Sequence, residues 1–397
     1  MTEYLKICDA SLQWARRRDY RGYSKFDALN SPLLRAVSCK SSFLRKGFVF
    51  AVSRSPVNIR PLLGVQKKQN PKGLALFARA YLNLYALTGY DEHRQEALAL
   101  LERLLTISQR PHFSGHCWGY EHPWQNIAFF IPPYEPNSVV TCAVGQAFLK
   151  AYHVTGDPEA LDVCRSIAQF LLNDLTQIDV GPAMQCRSYD LRSRWKVINV
   201  NVFIAAFLAA LHALSSDERY RQASQEMMRW VISKKTDGPA WYYTDPPEAS
   251  RITIDNYHTG FVLDSIREYL DVFDNPEYET IWGQGLDYYR RNLFTAAGAP
   301  KWMYNRPYPH DIHGAAQGII TFSRASLKQA KWLDEARTIL DWTLANLYDE
   351  RQSRFYYQQS RRWTKRFTLM RWSQAWACYA ISELLRFSKK QESAIAK

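Results

Sequence analysis

Six similar segments recur along the chain at nearly even spacing, and this regularity constrains the fold more than any other feature. They begin at Asn70, Asn137, Asn199, Asn256, His313 and Arg371. Successive segments start 67, 62, 57, 57 and 58 residues apart, and each opens an apolar run long enough to form a helix. A fixed period of this size indicates a repeat architecture, in which each unit buries its apolar face against its neighbours.

The two halves of each repeat differ in their apolar pattern. The first half is apolar nearly all round, as in residues 201–211, and such a helix must be buried on most sides. The second half is amphipathic, as in residues 217–231. Inner helices surrounded by outer helices satisfy both patterns. We therefore predict an inner ring of six helices that begin near residues 71, 138, 200, 257, 313 and 371, with their N-terminal ends on one face.

Short turns separate the two helices of a repeat. Gly89 and Gly156 lie where a helix end favours a left-handed residue. Asp157 and Asn275 lie where the next helix favours an N-cap, and a proline follows each of them. The longer connections from outer to inner helices contain alternating aromatic residues, which predict short β-hairpins.

Residues outside the repeats are predicted to close the ring. A helix over about residues 2–18 has no upstream partner, so we expect it to pack near the last helix, over about residues 371–386. A further helix is predicted near residues 32–51. The predicted architecture is one all-α domain over residues 1–397, in which residues 1–69 close the ring and residues 70–390 form six repeats.

Composition bounds the partners and the compartment. The chain has 397 residues and a formal net charge of +13, which indicates either a solvated basic surface or an anionic partner such as an acidic glycan, a lipid headgroup or nucleic acid. No nucleic-acid-binding motif is present, so we expect no nucleic-acid partner. Seven scattered cysteines without a Cys-x-x-Cys motif predict reduced thiols in a cytoplasmic protein. We expect no signal peptide and no transmembrane segment.

Neither a metal nor a cofactor is predicted. The zinc site of lanthionine cyclases is faintly similar to a set of three residues in this chain, His116, Cys117 and His313. That site needs a further cysteine beside the histidine, and Ile312 occupies the position.

The repeats and one inner-helix start resemble a known superfamily. The sequence Asp-Asn-Tyr-His-Thr-Gly at residues 255–260, within repeats that span about residues 70–390, resembles the six-hairpin (α/α)6 toroids. That superfamily includes glycoside hydrolases, polysaccharide lyases, N-acylglucosamine 2-epimerases and the C-terminal domain of glucuronyl 5-epimerases. Residues 22–31 are similar to uncharacterised proteins of bacterial surface-polysaccharide gene clusters. The resemblance implies a saccharide cleft at the N-terminal ends of the inner helices, and it leaves the reaction open because fold does not fix function.

Candidate catalytic residues lie at the starts of the fourth and fifth inner helices. If both helices line the ring, Tyr257 and His258 face His313 across a cavity. Two histidines so placed could remove and return a proton at a sugar carbon, as in the 2-epimerases of this fold. Alternatively, each histidine packs within the core or forms part of a turn.

Three carboxylates are candidates for hydrolysis at the same end of the molecule. Asp255 and Asp311 are one repeat apart, and Glu121 precedes the second inner helix. An inverting hydrolase needs an acid and a base on either side of the scissile bond. The alternative for Asp255 and Asp311 is helix N-capping, for which aspartate just before a helix is the expected residue.

Aromatic and basic residues near the inner-helix starts are candidates for substrate binding. Aromatic faces suit a pyranose ring, and arginines suit a uronic carboxylate. The alternatives are core packing and a solvated surface. The candidates are Trp118, Tyr120, Trp124, Trp241, Tyr243, Trp302, Tyr304, Arg306, Arg371 and Trp372, with Asp27 and Asn30 from the N-terminal loop. The deepest cleft is predicted to be lined by Trp118, Glu121, Trp241, Tyr257, His258, Tyr304, His313 and Arg371.

Two functional hypotheses follow. The first is a carbohydrate-active enzyme that modifies an acidic glycan in surface-polysaccharide synthesis by epimerase, lyase or hydrolase chemistry. The second is a non-catalytic glycan-binding or scaffold protein of the same pathway.

Overall fold

Six inner helices form a closed ring. In a computed structural model, which describes residues 2–125 and 130–395, each inner helix contacts the next one along the chain and the last contacts the first. Five inner helices begin within two residues of their predicted starts, and the sixth does so when the π-helical segment that precedes it is counted. Numbered along the chain, they are α4 (Pro71–Thr88), α6 (Ser138–Thr155), α8 (Ile198–Ser215), α10 (Asn256–Leu270), α12 (Ile312–Ala325) and α14 (Trp376–Ile395), the last preceded by a π-helical segment, Met370–Ala375.

An outer helix packs on each inner helix. Five outer helices follow their inner partners directly in the chain, whereas the sixth comes from the N-terminal segment and packs on α14, as predicted. The outer helices are α5 (Asp91–Thr106), α7 (Pro158–Asn173), α9 (Glu218–Ser233), α11 (Pro276–Leu293), α13 (Lys331–Leu347) and α1 (Thr2–Arg16).

The predicted turn chemistry is present at the helix ends. Gly89 and Gly156 end α4 and α6 with φ of 74° in both cases, a conformation that only glycine adopts readily. The Asp157 side chain accepts a hydrogen bond from the backbone N–H of Glu159, and Asn275 accepts one from Tyr278. These local signals therefore fix where the outer helices begin.

Helices α1 and α14 close the ring at a seam. Leu12 is fully buried there, and the Cys8 Sγ lies 3.5 Å from the Cys378 carbonyl oxygen. The Gln374 Nε2 donates to the Ser11 carbonyl at 2.9 Å. Residues more than 360 positions apart are thus packed as closely as those within a repeat.

The segment predicted as one helix near residues 32–51 contains two. They are α2 (Pro32–Val37) and α3 (Ser42–Arg54). Cys39 and Lys40 adopt positive φ values of 45° and 62°, which no helix accommodates, and Ser41 then caps α3. The two helices bury a small separate core that includes Leu29, Leu34, Val49 and Val52.

Short antiparallel strands occupy the connections, in keeping with the predicted hairpins. Each strand has two residues, and the pairs hold the loops above the inner-helix N-termini. They are β1 (Arg21–Gly22) with β2 (Lys68–Gln69), β3 (Trp124–Gln125) with β4 (Phe130–Ile131), β5 (Gln177–Ile178) with β6 (Cys186–Arg187), β7 (Lys196–Val197) with β8 (Thr244–Asp245), β10 (Tyr348–Asp349) with β11 (Arg354–Phe355), and β12 (Gln358–Gln359) between β9 (His310–Asp311) and β13 (Thr364–Lys365).

Among the described helices, α8 alone has the length and composition to cross a membrane. In this structure 67% of its 18 residues are buried within the ring. A core helix of a soluble protein passes the same test.

Candidate active site

A cavity of about 740 Å³ opens at the N-terminal ends of the inner helices. Every inner helix contributes a residue near its start to the cavity wall: Lys72, Val139, Asn199, His258, His313 and Arg371. The six starts therefore converge on one face, as the repeat pattern predicts.

His258 forms a dyad with a buried carboxylate. Its Nδ1 lies 2.9 Å from both carboxylate oxygens of Asp255, whose side chain is 1% exposed. An ionised carboxylate only accepts hydrogen bonds, so Nδ1 is the donor, and in the neutral ring Nε2 then presents a lone pair. Asp255 holds the N-cap position of α10, yet its side chain caps no backbone N–H and binds the histidine instead. This arrangement gives His258 the chemistry of a general base.

His313 is enclosed by aromatic rings. It stacks on Tyr257 with ring centroids 4.5 Å apart and an angle of 8° between the planes, and Trp372 and Trp376 contact it at the same centroid distance. Burial, together with the charges of Lys72, Arg371 and Lys25, holds the pKa of His313 well below 6.5. Neither ring nitrogen has a hydrogen-bond partner among the described residues. Since an unpaired buried polar atom costs roughly 1–3 kcal/mol, this imidazole is ready to bind a ligand or water.

Three buried cations surround the histidines. The Lys25 Nζ lies 4.0 Å from the ring centroid of Trp372, the Lys72 Nζ lies 5.3 Å from that of Phe261, and Arg371 lies over Trp372. Burial lowers the pKa of Lys25 to about 8 and that of Lys72 to about 7. In the described part of the chain none of the three forms an ion pair, and the Nε of Arg371 has no partner.

The candidate carboxylates lie behind the wall and are already bonded. Asp311 caps α12 through the N–H of His313, and it also accepts from the Trp372 Nε1 at 2.9 Å and from the Gln358 Nε2 at 2.6 Å. Asp311 therefore serves in part as an N-cap, which is the alternative that the sequence analysis gave for it. Of the residues described, no Asp or Glu lines the cavity.

Glu121 is also buried and bonded. It accepts hydrogen bonds from the Ser24 Oγ and the Asn70 Nδ2, and the His122 Nδ1 lies 3.2 Å from one carboxylate oxygen. Burial alone would raise the pKa of Glu121. The charge of the neighbouring His122 and its hydrogen bond to the carboxylate hold that pKa below its usual value. The carboxylate ties the N-terminal loop to the start of α4.

No metal centre is evident: residues 2–125 and 130–395 contain no group of three His, Cys, Asp or Glu side chains placed to hold an ion.

Solved structures of similar architecture include enzymes whose names state an action on sugars. The chain is similar to cellobiose 2-epimerase from Bacillus thermoamylovorans (12% identity, 79% of this chain and 88% of that one, TM-score 0.60). It is also similar to the GH76 alpha-mannanase BT2949 of Bacteroides thetaiotaomicron (12% identity, 81% of this chain and 88% of that one, TM-score 0.66). A third similar structure is the Lin0763 protein of Listeria innocua (11% identity, 98% of this chain and 98% of that one, TM-score 0.63). The chain is a six-hairpin (α/α)6 toroid. No family model and no curated protein sequence matches it. Identities this low establish the fold alone.

Most predicted binding residues of the toroid meet in the cavity. Those that line it are Tyr120, Trp124, Tyr243, Tyr257, His258, Trp302, Arg306, His313, Arg371 and Trp372. Their roles in binding or catalysis remain predictions.

Three predicted aromatic residues of the cleft lie elsewhere. Trp118 and Trp241 are buried in the helical core, where their indole N–H groups donate to the carbonyl oxygens of Leu104 at 2.7 Å and Val231 at 2.9 Å. Tyr304 is 46% exposed and lies outside the cavity wall. The cleft prediction placed these three residues, and Glu121, in the wall, and the structure corrects it.

Asp27 and Asn30 also lie outside the cavity wall. Asp27 forms a buried ion pair with Arg60 at 2.7 Å, and Arg60 donates to the carbonyl oxygens of Ser24 and Lys25. Asn30 is buried and its Oδ1 has no partner among the described residues. The Asp27–Arg60 pair supports the loop that carries Lys25 and does not itself reach the cavity.

Sequence reasoning missed several residues of the wall. Lys72 holds the third position of its repeat segment, as Val139 and His258 do, so the repeat register contained the signal. Lys25 lies in the loop of residues 22–31, which gave only Asp27 and Asn30 as candidates. No sequence signal marks the others, which include His122, Tyr189, Trp195, Tyr357, Trp363 and Lys365.

Proposed function

We propose that this toroid is a carbohydrate-active enzyme that removes a proton from a carbon atom of an acidic sugar, leading to epimerisation or elimination. The observation that carries the proposal is the His258–Asp255 dyad in a cavity with no carboxylate among its described wall residues. Glycoside hydrolysis ordinarily needs two carboxylates flanking the bond, and proton transfer from carbon needs one positioned base.

The two histidines suit different tasks. Nε2 of His258 takes the proton from the carbon next to a carbonyl or carboxyl group, and the electron pair of the C–H bond moves to the oxygen to give an enolate. Asp255 stabilises the imidazolium that forms. His313, whose pKa is lowered by burial and by the surrounding cations, offers hydrogen bonds to the bound sugar. For epimerisation, the enolate turns over in the cavity, and the His258 imidazolium then returns the proton to the opposite face of the carbon. For elimination, the electron pair of the enolate expels an oxygen from the neighbouring carbon, and the imidazolium gives its proton to that oxygen.

An acidic substrate is supported by the charge of the cavity. Six cationic residues line the wall: Lys25, Arg54, Lys72, Arg306, Lys365 and Arg371. A carboxylate on the sugar would supply the missing counter-charge to the buried members of this set, and Arg371 is suited to bind it in a bidentate manner. The same cations would stabilise the enolate.

We further place this activity in surface-polysaccharide synthesis in the cytoplasm. The pathway rests on the similarity of residues 22–31 to proteins of such gene clusters. The compartment is supported by seven cysteines that are all unpaired, six of them buried.

Deuterium exchange tests the proposal. The protein is incubated in D2O with hexuronic acids and short uronic oligosaccharides, and their neutral carboxyl-reduced analogues serve as controls; NMR then follows loss of the carbon-bound proton. We expect exchange with an acidic sugar, exchange slowed by about 10²–10⁴ after His258→Asn, and unchanged exchange after His153→Asn, whose histidine is exposed at the far end of α6. Exchange at the wild-type rate in His258→Asn would refute the proposed base.

A non-catalytic glycan-binding protein is the second candidate, because a wall rich in aromatic rings binds sugars without any chemistry. Binding of an acidic oligosaccharide by calorimetry, with no exchange or turnover of any sugar tested, would favour it.

A further inference from the structure

Helix α3 buries one side and exposes large apolar side chains on the other. Val49 and Val52 pack into the small core, whereas Phe43 and Phe50 are 81% and 54% exposed on the opposite side. Helical spacing places residues 43, 47, 50 and 54 on this outward side, so the two phenylalanines share it with the exposed Arg54. The outward side of α3 therefore combines apolar and cationic groups.

The exposed apolar side chains cluster in this part of the molecule. Seven of the thirteen large, well-exposed apolar residues of the described chain fall between residues 33 and 62. We call them the α2–α3 face; they are Leu33, Val37, Phe43, Leu44, Phe50, Val57 and Leu62. Exposed apolar groups at this density mark an interaction surface.

The charge of the same segment is one-sided. Residues 28–70 contain eight Lys and Arg residues and no Asp or Glu, and no acidic residue follows Asp27 before Asp91. Arg35, Lys40, Arg54 and Lys67 are exposed. A surface that joins bulky apolar groups to exposed cations matches the headgroup region of an anionic bilayer.

The face continues into the mouth of the cavity. Phe50 and Arg54 belong both to α3 and to the cavity wall. Across the mouth, Trp363 and Tyr308 are 52% and 42% exposed and line the same cavity. The Lys365 Nζ donates to the carbonyl oxygens of Ser53 and Arg54 at 3.2 Å each, so the two sides of the rim are joined. Trp and Tyr at a rim are typical of proteins that sit at a membrane interface.

We propose that the α2–α3 face docks the protein on the surface of an anionic lipid bilayer, with Phe43, Leu62 and the neighbouring apolar side chains in the headgroup region and the cavity mouth beside the membrane. The cations favour this occupant over a second copy of the chain, because two such faces would bring like charges together. The proposal concerns a surface outside the catalytic dyad and does not depend on the reaction.

Vesicle sedimentation tests the docking. The full-length protein is mixed, without sugar, with phosphatidylcholine vesicles that contain phosphatidylglycerol, and with pure phosphatidylcholine vesicles. We expect binding to the anionic vesicles that weakens as salt rises, since surface attraction is screened within a Debye length. Phe43→Ser/Leu62→Ser should lower the partition coefficient by roughly tenfold or more, because two large apolar groups no longer enter the interface.

A charge variant and a matched control complete the design. Arg35→Gln/Lys40→Gln should weaken binding by roughly fivefold for each cation removed. Tyr90→Ser/Leu327→Ser removes two exposed apolar side chains, 68% and 54% exposed, from outside the face and should bind as wild type. Equal binding to neutral and anionic vesicles, no binding at all, or full binding by Phe43→Ser/Leu62→Ser would overturn the proposal. Self-association in sedimentation velocity that these substitutions abolish would overturn it in favour of a protein interface.

Discussion

Two histidines at the same end of the ring have opposite electrostatic surroundings. His258 faces the carboxylate of Asp255, which stabilises a positive imidazole. His313 faces Lys72, Arg371 and Lys25, which oppose protonation. Both histidines were visible in the sequence as helix starts, and Asp255, the partner of His258, lies only three residues before it. The cations around His313 come from segments 58 to 288 residues away, and their convergence could not be read from the sequence.

The dyad gives the first prediction. With a sugar that exchanges its proton, His258→Asn should lower the exchange rate by about 10²–10⁴, the usual contribution of a general base. Asp255→Asn should lower the rate by at least about tenfold, because an amide NH2 can donate to Nδ1 and move the ring proton to Nε2. The pH profile of the exchange rate separates a positioning role from structural damage: it should move in Asp255→Asn while the urea midpoint of Asp255→Asn stays close to that of wild type. An unaltered rate and profile in Asp255→Asn would contradict the dyad.

Lys25 gives a prediction about pH. Its pKa of about 8 means that the ammonium is charged below that pH and neutral above it. Affinity for a uronic oligosaccharide should therefore fall by roughly tenfold or more as pH rises through about 8, when a charged hydrogen bond is lost. This step is separate from any decline near pH 7, where Lys72 loses its charge.

Lys25→Arg is the matched variant for this prediction. A guanidinium stays charged throughout the range, so this substitution should remove the fall in affinity near pH 8. Calorimetric titration at several pH values measures it. A neutral analogue should show no such pH dependence, and a decline that persists in Lys25→Arg would assign it to another group.

At the scale of elements, the sequence predicted what local chemistry decides. Gly89, Gly156, Asp157 and Asn275 set helix ends through contacts within a few residues, so their positions were readable. The fate of an aromatic residue was not readable. Trp118 precedes an inner helix and Trp372 opens one. The Trp118 indole donates to a carbonyl in the core, whereas the Trp372 indole donates to the carboxylate of Asp311 behind the cavity wall.

Inner-helix packing gives a prediction in which two effects compete. A Cβ added at Gly318 of α12 would lie 2.3 Å from the Cζ of Phe294, a contact that forces the ring to move. Overpacking costs about 1–3 kcal/mol, and alanine gains up to about 1 kcal/mol in helix propensity, so Gly318→Ala should be destabilising on balance. Gly283 of the outer helix α11 has no atom within 4 Å of such a Cβ, so Gly283→Ala should be neutral or stabilising. Denaturant midpoints measure both, and equal shifts would show that packing is not the cause.

At the scale of the whole molecule, the ring was predictable because the repeat period is a global property of the sequence. The positive charge of the cavity was less predictable than the ring. The net charge of +13 indicated a basic molecule without saying where the cations meet, and three of them prove to be buried together. The α2–α3 break and its exposed apolar face depend on tertiary burial, which a helix pattern alone does not reveal.

The seam gives a prediction about cooperativity. Leu12→Ala should lower the free energy of unfolding by about 2–5 kcal/mol, as expected for a fully buried leucine. Because we predict a single domain, circular dichroism and tryptophan fluorescence should report one coincident transition in urea for both wild type and variant. Leu327→Ala, at a side chain that is 54% exposed, should have almost no effect. Two separate transitions would contradict the single domain.

The seam also imposes an order of events on synthesis. The Lys25 ammonium meets Trp372 at 4.0 Å, so groups of the cavity come from segments 347 residues apart. Early repeats can pack as they leave the ribosome, but α1 has no inner partner until α14 follows. A nascent chain therefore carries every early binding group on an open arc, and the pocket first exists once the segment around Trp372 has left the ribosome.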